Sequence, residues 1–357
     1  MSTPVRPVPH PAKIVELLLP RVRGNARGMM RLVELLRGAG DEAGAVDLCY
    51  EAMALAPDDT EVISLGRSFL ASMVPGWHFN LIRDEPRTLA YEAALIRNIK
   101  PGMRVLEIGA GTGVLAMMAA RAGAAHVYTC EANPAVARTA AEIVAANGFA
   151  DRVTVLAKHS TAIDVDADLG GRADMLVSEI VSNDVLGEEV LPSHEHAIEQ
   201  LLVPGAPVIP RAAMARVALA DHDRQRHRLG AAYGFDFSAF NHLARAVYRV
   251  PIEDKRLRLL SDPADLFRFD ISSGAYTNDA RASIELTATG GQVTGVIQWL
   301  VLDLDEAGGL EAGPGMTAFS NWAMMFHAFP EPIETVPGQK VVIHGMHNRR
   351  RISIWGD

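Results

Sequence analysis

The sequence predicts an α/β protein in which a doubly wound parallel sheet is followed by an antiparallel β-barrel or sandwich and preceded by a short helical segment. Three observations carry this reading. Between Pro101 and Pro210, short β-branched runs alternate with Ala-rich stretches of helical length, as strands joined by crossover helices do. Beyond Pro210 the runs alternate apolar with polar residues and are parted by Gly, Pro and Asp, which suits antiparallel strands. Before residue 70, two stretches read as short helices.

In chain order, the boundaries fall at 1–70, 71–208 and 209–357. In the first segment GMMRLVELLRG and DEAGAVDLCYEAMALAP flank a break at Gly38 to Gly40. Leu32, Ala45, Ala52 and Pro57 fall where a tetratricopeptide repeat places its leucine, packing alanines and closing proline. One such unit cannot bury both its faces, so it is expected to dock on the rest of the chain. In the second segment RVLEIG, HVYTCE, RVTVLA and ADMLVSE are the expected strands, near-continuous apolar runs suited to a sheet covered on both sides. In the third, AMARVALA, ASIELTATG, GVIQWLVLDL, KVVIHGM and RRISIW are expected strands. A more helical stretch at about 221–251 reads as a projecting arm.

Composition excludes several classes. No stretch approaches ~20 uncharged apolar residues, and MSTPVRPVPHPAK lacks the apolar run of a secretory signal, so a cytoplasmic protein is expected. Cys49 and Cys130 lie in apolar patterns without CxxC spacing, which leaves no zinc or disulfide framework and no expected metal. The net charge of -9 argues against a surface built to grip nucleic acid.

The chemistry begins at VLEIGAGTG. After the first strand, Gly109, Gly111 and Gly113 let the backbone turn sharply toward a ligand at a helix N-terminus. Val114 stands where a dinucleotide fingerprint needs glycine, so GxGxG suits a nucleoside-bearing cofactor without pyrophosphate. Glu131 closes the second strand, where a carboxylate accepts hydrogen bonds from both ribose hydroxyls. His159 and Ser160, after the third strand, lie where an adenine edge is expected. After the fourth strand, SEIVSNDVLGEEVLPSHEHA departs from the [DN]PPY expected for methylation of a nucleic-acid base and offers two carboxylates, Glu179 and Glu188.

The order and spacing of these glutamates, with the LPSHEHA that follows, resemble the double-glutamate loop of protein arginine methyltransferases. The resemblance extends to LIRDEPRTLAY, the Rossmann-like glycine motif, Glu131, KHST, YGFDFS, AGPGMTAFSNW and GQKVVIHGMHNRRRISI, so it spans roughly Trp77 to the C-terminus. It implies S-adenosylmethionine as cofactor and arginine in a protein or peptide as acceptor. It implies further that Arg87 pairs with the cofactor carboxylate and orients Glu179, that His78 and Leu81 line the cofactor and the reacting methyl, and that the arm joins two copies as a homodimer.

Paired glutamates suit this chemistry because guanidinium, with a pKa above about 12, is delocalised and a poor nucleophile. Two carboxylates bind it bidentately and draw its charge toward the nitrogens they touch, leaving the remaining nitrogen with more lone-pair character. In an empty site they should repel each other, which predicts a raised pKa for one of them or a cation between them. Two departures stand out. The Thr-His-Trp triplet of the family's acceptor site reads Ser320-Asn321-Trp322, removing the histidine often paired with an aspartate as proton acceptor; Asp84 matches that aspartate. The tyrosine-rich helix upstream reads SFLAS, keeping only Phe69. Two further readings stay open: the same cofactor with a small-molecule acceptor, or a non-catalytic scaffold.

Overall fold

The computed structural model describes residues 11–222, 229–274 and 280–357. The opening ten residues, and part of the expected arm, lie outside the described residues.

Four helices lead: α1 (Pro11–Val22), α2 (Ala26–Gly38), α3 (Glu42–Leu55) and α4 (Thr60–Met73). The expected hairpin is α2 and α3, capped by Asn25 and Asp41, whose side chains accept from Gly28 N and Gly44 N. The helix α1 was not expected, since Pro20 sits inside it. Met29, Val33, Ala45, Cys49, Ala52 and Val62 form a core separate from that of the sheets, and Ala135 joins it from the neighbouring domain. Docking onto that domain is polar as well as apolar. Asn133 Nδ2 donates to the Met73 carbonyl at 2.7 Å, and the Arg138 guanidinium lies 4.1 Å over the Tyr50 ring.

The short helix α5 (His78–Leu81) and α6 (Glu85–Asn98) lead into β1 (Arg104–Ile108), α7 (Val114–Arg121), β2 (His126–Cys130), α8 (Pro134–Ala146), β3 (Val153–Leu156), β4 (Met175–Ser178), α9 (Val190–His196) and β5 (Val208–Ile209). All five strands are parallel, in the order β3-β2-β1-β4-β5. Strand direction of growth reverses between β1 and β4, and in such sheets the crevice outside the carboxyl ends at this point is where ligands bind. The four expected strands are β1 to β4.

Antiparallel strands follow: β6 (Ala212–Asp221), β7 (Ala231–Ala232), β8 (Phe235–Asp236), β9 (Val247–Val250), β10 (Arg258–Leu259), β11 (Ala264–Asp270), β12 (Ala280–Thr287), β13 (Gly291–Asp303), β14 (Gly309–Ala312), β15 (Met324–Thr335), β16 (Lys340–His347) and β17 (Ile352–Gly356). Seven of them form one sheet built on β10-β6-β13-β15-β9, and β12-β16-β17 form a second. The five expected runs are β6, β12, β13, β16 and β17. In its described part the arm holds the two-residue β7/β8 ladder, a 3₁₀ helix at Ser238–Leu243 and β9, and no α-helix. Gly230 and Gly234 interrupt the helical pattern there, and among the described residues Tyr233, Phe235, Phe240 and Leu243 are all exposed.

Candidate active site

The carboxyl ends of β1 to β4 and the segment before α6 enclose a cavity of about 440 Å³. His78, Leu81, Arg87, Gly109, Gly111, Glu131, His159, Ser160, Glu179 and Glu188 all line it, drawing together residues from five separate parts of the sequence.

The floor is the turn after β1. The Gly109 and Ala110 amides donate to the Cys130 carbonyl at 3.0 Å, joining the ends of β1 and β2. Gly109 has φ +88°, and a Cβ there would stand 2.7 Å from Ile180 Cγ2; Gly113, the N-cap of α7, has φ +77° with Val144 3.1 Å from the same imagined atom. Gly113 therefore shapes the turn without lining the cavity. Glu131 accepts from Gly111 N at 3.1 Å and Asn133 N at 2.9 Å, one bond per oxygen. Each oxygen keeps a second lone pair for a diol.

Three buried polar atoms around the cavity lack a partner: Glu107 Oε2, Ser160 Oγ and Arg87 Nε. Orphaned groups of this kind are rare in interiors. A carboxylate, a hydroxyl and a guanidinium suit the ammonium, adenine and carboxylate of S-adenosylmethionine, so the residues present fit that cofactor. Burial, first, and the nearby Glu131 charge push Glu107 up to about 8. Glu107, Trp77, Lys158 and Ser193 also line the cavity and were not singled out from the sequence. For Glu107 the signal was there, an acid inside the apolar run Val105–Ile108.

Glu179 follows β4 directly. Its Oε2 accepts a short ion-paired bond from Arg87 Nη1, and Arg87 Nη2 donates to the Leu81 carbonyl at 2.9 Å. Burial pushes Glu179 up to about 8 against the lowering pull of Arg87; the charges of Glu188 and Asp84 act in the same upward direction. Glu188, at the open rim, is also raised, by desolvation and then by Asp184 and Glu131. The expected rise in pKa is present, with burial rather than mutual repulsion as its larger cause.

The loop between the two glutamates is strained and pinned. Val185, Glu188 and Glu189 have φ of +73°, +60° and +56°. Left-handed backbone at non-glycine residues costs about 1–3 kcal/mol each and persists only where surroundings enforce it. Here Gly187 N donates to Ser182 Oγ at 2.9 Å and Asp184 Oδ1 at 3.1 Å. From the C-terminal sheets, Trp322 Nε1 donates to the Val181 carbonyl at 2.8 Å and Ala323 N to Asn183 Oδ1 at 2.6 Å.

Asp84, Asn321 and Trp322 are expected site residues that do not line the cavity. Asp84 is fully buried: Oδ1 accepts from Arg87 N at 3.2 Å, and Oδ2 from Asn321 N at 2.7 Å and Ser320 Oγ at 3.2 Å. This carboxylate caps α6 and ties it to the Ser320–Trp322 segment. Three of its acceptor positions are taken up by those ties. Trp322 is 5% exposed, packed into the core beneath the loop.

A doubly wound sheet with GxGxG after its first strand, a carboxylate at the end of the second and an acidic loop after the fourth is the arrangement of a class I S-adenosylmethionine-dependent methyltransferase. Comparison with known proteins agrees. The profile of the ribosomal protein L11 methyltransferase (PrmA) family matches residues 89–204. The arginine N(omega)-methyltransferase of Streptomyces achromogenes subsp. streptozoticus is 36% identical over 345 residues, covering 94% of each chain. Protein arginine N-methyltransferase 7 of Oryza sativa subsp. indica is 33% identical over 259 residues, 65% of this chain and 36% of that longer protein. Among solved structures, the Trypanosoma brucei PRMT1 enzyme-prozyme complex with AdoHcy superposes with a TM-score of 0.70 at 24% identity, over 79% of this chain and 93% of that one. Arabidopsis thaliana protein arginine methyltransferase 10 gives 0.66 at 17%, over 81% and 98%. The chain belongs to the arginine N-methyltransferase family.

Proposed function

We propose that the chain methylates a terminal guanidino nitrogen of arginine in a protein or peptide, with Glu179 and Glu188 clamping the guanidinium. The observation that carries this reading is that both carboxylates, set at the two ends of one pinned loop, face the same cavity as the cofactor-binding residues. When bound, S-adenosylmethionine supplies an electrophilic sulfonium methyl. Glu131 and the Gly109–Gly113 turn hold its nucleoside; Arg87 and Glu107, which both line the cavity, hold its amino-acid end. Glu179 and Glu188 accept hydrogen bonds from two guanidinium nitrogens, orient the third for in-line attack, and offset the positive charge that accumulates on the substrate. The proton released as the new N–C bond forms goes to a glutamate or to solvent.

A second reading takes free arginine as acceptor. It is favoured by the name of the Streptomyces relative, which specifies arginine alone, and by the absence of the family's histidine and tyrosine hydroxyls at Asn321 and around Phe69. Labelled S-adenosylmethionine offered with either an Arg-rich peptide or L-arginine separates the two. Label in the peptide supports the first reading, and label only in the amino acid overturns it.

The exposed arm side chains support a homodimer in which each arm covers the cofactor domain of the other copy, a symmetric closed arrangement. The α2/α3 hairpin is read as a single tetratricopeptide-like unit serving as a docking element rather than a peptide-binding array, and the protein as cytoplasmic.

A further inference from the structure

We propose that His194 is a positioning residue for methyl transfer, a staple that fixes both ends of the double-glutamate loop at once. His194 is fully buried, and both ring nitrogens are bonded: Nδ1 to the Val190 carbonyl at 2.6 Å and Nε2 to Ser178 Oγ at 2.7 Å. A carbonyl only accepts, so Nδ1 carries the proton; Nε2 then accepts, and the Ser178 hydroxyl donates. Burial keeps the ring neutral, lowering its pKa to about 4, which preserves this tautomer across the working pH range.

The two partners occupy matching places. Ser178 immediately precedes Glu179, and Val190 follows Glu188 by two residues, so a single imidazole spans the mouth of the loop. Ser178 is otherwise rigid. Its backbone is in register with Ile108 of β1, and its carbonyl accepts from Tyr91 at 3.1 Å. Val190 is the less constrained side, since Glu188 and Glu189 before it are left-handed. The staple thus transfers the rigidity of the sheet to the strained end of the loop, where Glu188 must be aimed. Trp322 and Ala323 pin the loop at Val181 and Asn183, nearer Glu179 than Glu188.

This inference rests on the glutamate clamp, and the experiment separates the two. His194→Phe keeps the ring and removes both bonds; His194→Gln keeps a donor and an acceptor; Ser178→Ala removes one hydroxyl and remains informative if the Phe variant fails to fold. Acceptor kcat/KM should fall about tenfold or more in His194→Phe and several-fold in Ser178→Ala, with recovery in His194→Gln and with cofactor Kd within about twofold of wild type throughout. Loosening the loop also admits water to Glu179, which faces Arg87, Asp84, Tyr91, Glu107 and Glu188. The acid limb of the acceptor kcat/KM profile should therefore move to lower pH in the Phe and Ala variants. Wild-type kinetics in His194→Phe and Ser178→Ala, no recovery in His194→Gln, or parallel loss of cofactor binding would overturn the proposal. Glu179→Gln, assayed alongside, reports on the clamp alone: full activity there would remove the clamp, whereas loss there with wild-type behaviour at His194 would remove only the staple.

Discussion

Trp322 donates its indole N–H to the backbone carbonyl of Val181 at 2.8 Å, so that the floor of the C-terminal sheets holds the loop that carries the acceptor glutamates. Trp322→Phe preserves most of the packing and leaves that buried carbonyl unpaired, a cost of about 1–3 kcal/mol borne by the loop. Acceptor kcat/KM should drop roughly tenfold or more, while calorimetry finds cofactor affinity unchanged. Equal losses in both would mean that the tryptophan serves the whole fold rather than the loop.

Glu179→Gln should abolish at least about 99% of turnover, the scale of loss seen when one preorganised electrostatic contact to a transition state is removed. Cofactor binding should weaken only modestly, because Glu131 and the glycine turn are untouched. Single-turnover assays with an Arg-rich peptide and with L-arginine check this directly.

The pH dependence follows from the same residue. Glu179 must be a carboxylate to pair with guanidinium, yet burial holds its pKa at about 8. The acceptor stays cationic throughout. Acceptor kcat/KM should therefore climb as pH rises through about 8 and then level, and acceptor binding near pH 7 should release a proton. Calorimetry in buffers of different ionisation enthalpy reads that proton; buffer-independent heats would contradict the prediction.

Glu107 gives a stability prediction. Its folded pKa is raised from 4.5 to about 8, so its contribution is fully present below about 4.5 and is lost as pH rises through 8. Glu107→Gln removes that titration. Between pH 5 and pH 9 the melting temperature of the cofactor-free variant should fall less steeply than that of wild type. Identical slopes would show that Glu107 stays ionised or solvated.

Phe240→Asp with Leu243→Asp tests the arm. Both side chains are exposed within the chain, 63% and 72%, so the double variant should keep its melting temperature if monomeric packing is all that matters. Sedimentation at micromolar concentration should show a dimer for wild type and a monomer for the variant. A wild-type monomer would remove the dimer proposal.

What was legible in the sequence was local chemistry at fixed spacing. The glycines, Glu131, His159, Ser160 and the glutamate pair were found because strand ends deliver their residues to one crevice whatever the remainder of the chain does. Asp84 was legible as a site residue but its structural ties were not, because the donors to its Oδ2, Ser320 and Asn321, come from the far end of the chain. His194 passed unnoticed for a similar reason: a histidine on a short helix says nothing until the fold brings Ser178 against it. The arm reads as more helical in the sequence than its described part is, because helical periodicity assumes a partner surface, and among the described residues Tyr233 and Phe235 stay exposed. The first helix was hidden by its prolines.

The pins on the glutamate loop also set an order of events during synthesis. The cofactor cavity is assembled from residues 75–193, whereas the donors that hold Val181 and Asn183 come 141 and 140 residues after their acceptors. A chain emerging from the ribosome thus has the parts for gripping a methyl donor well before Trp322 and Ala323 arrive to hold the loop that aims an acceptor at it.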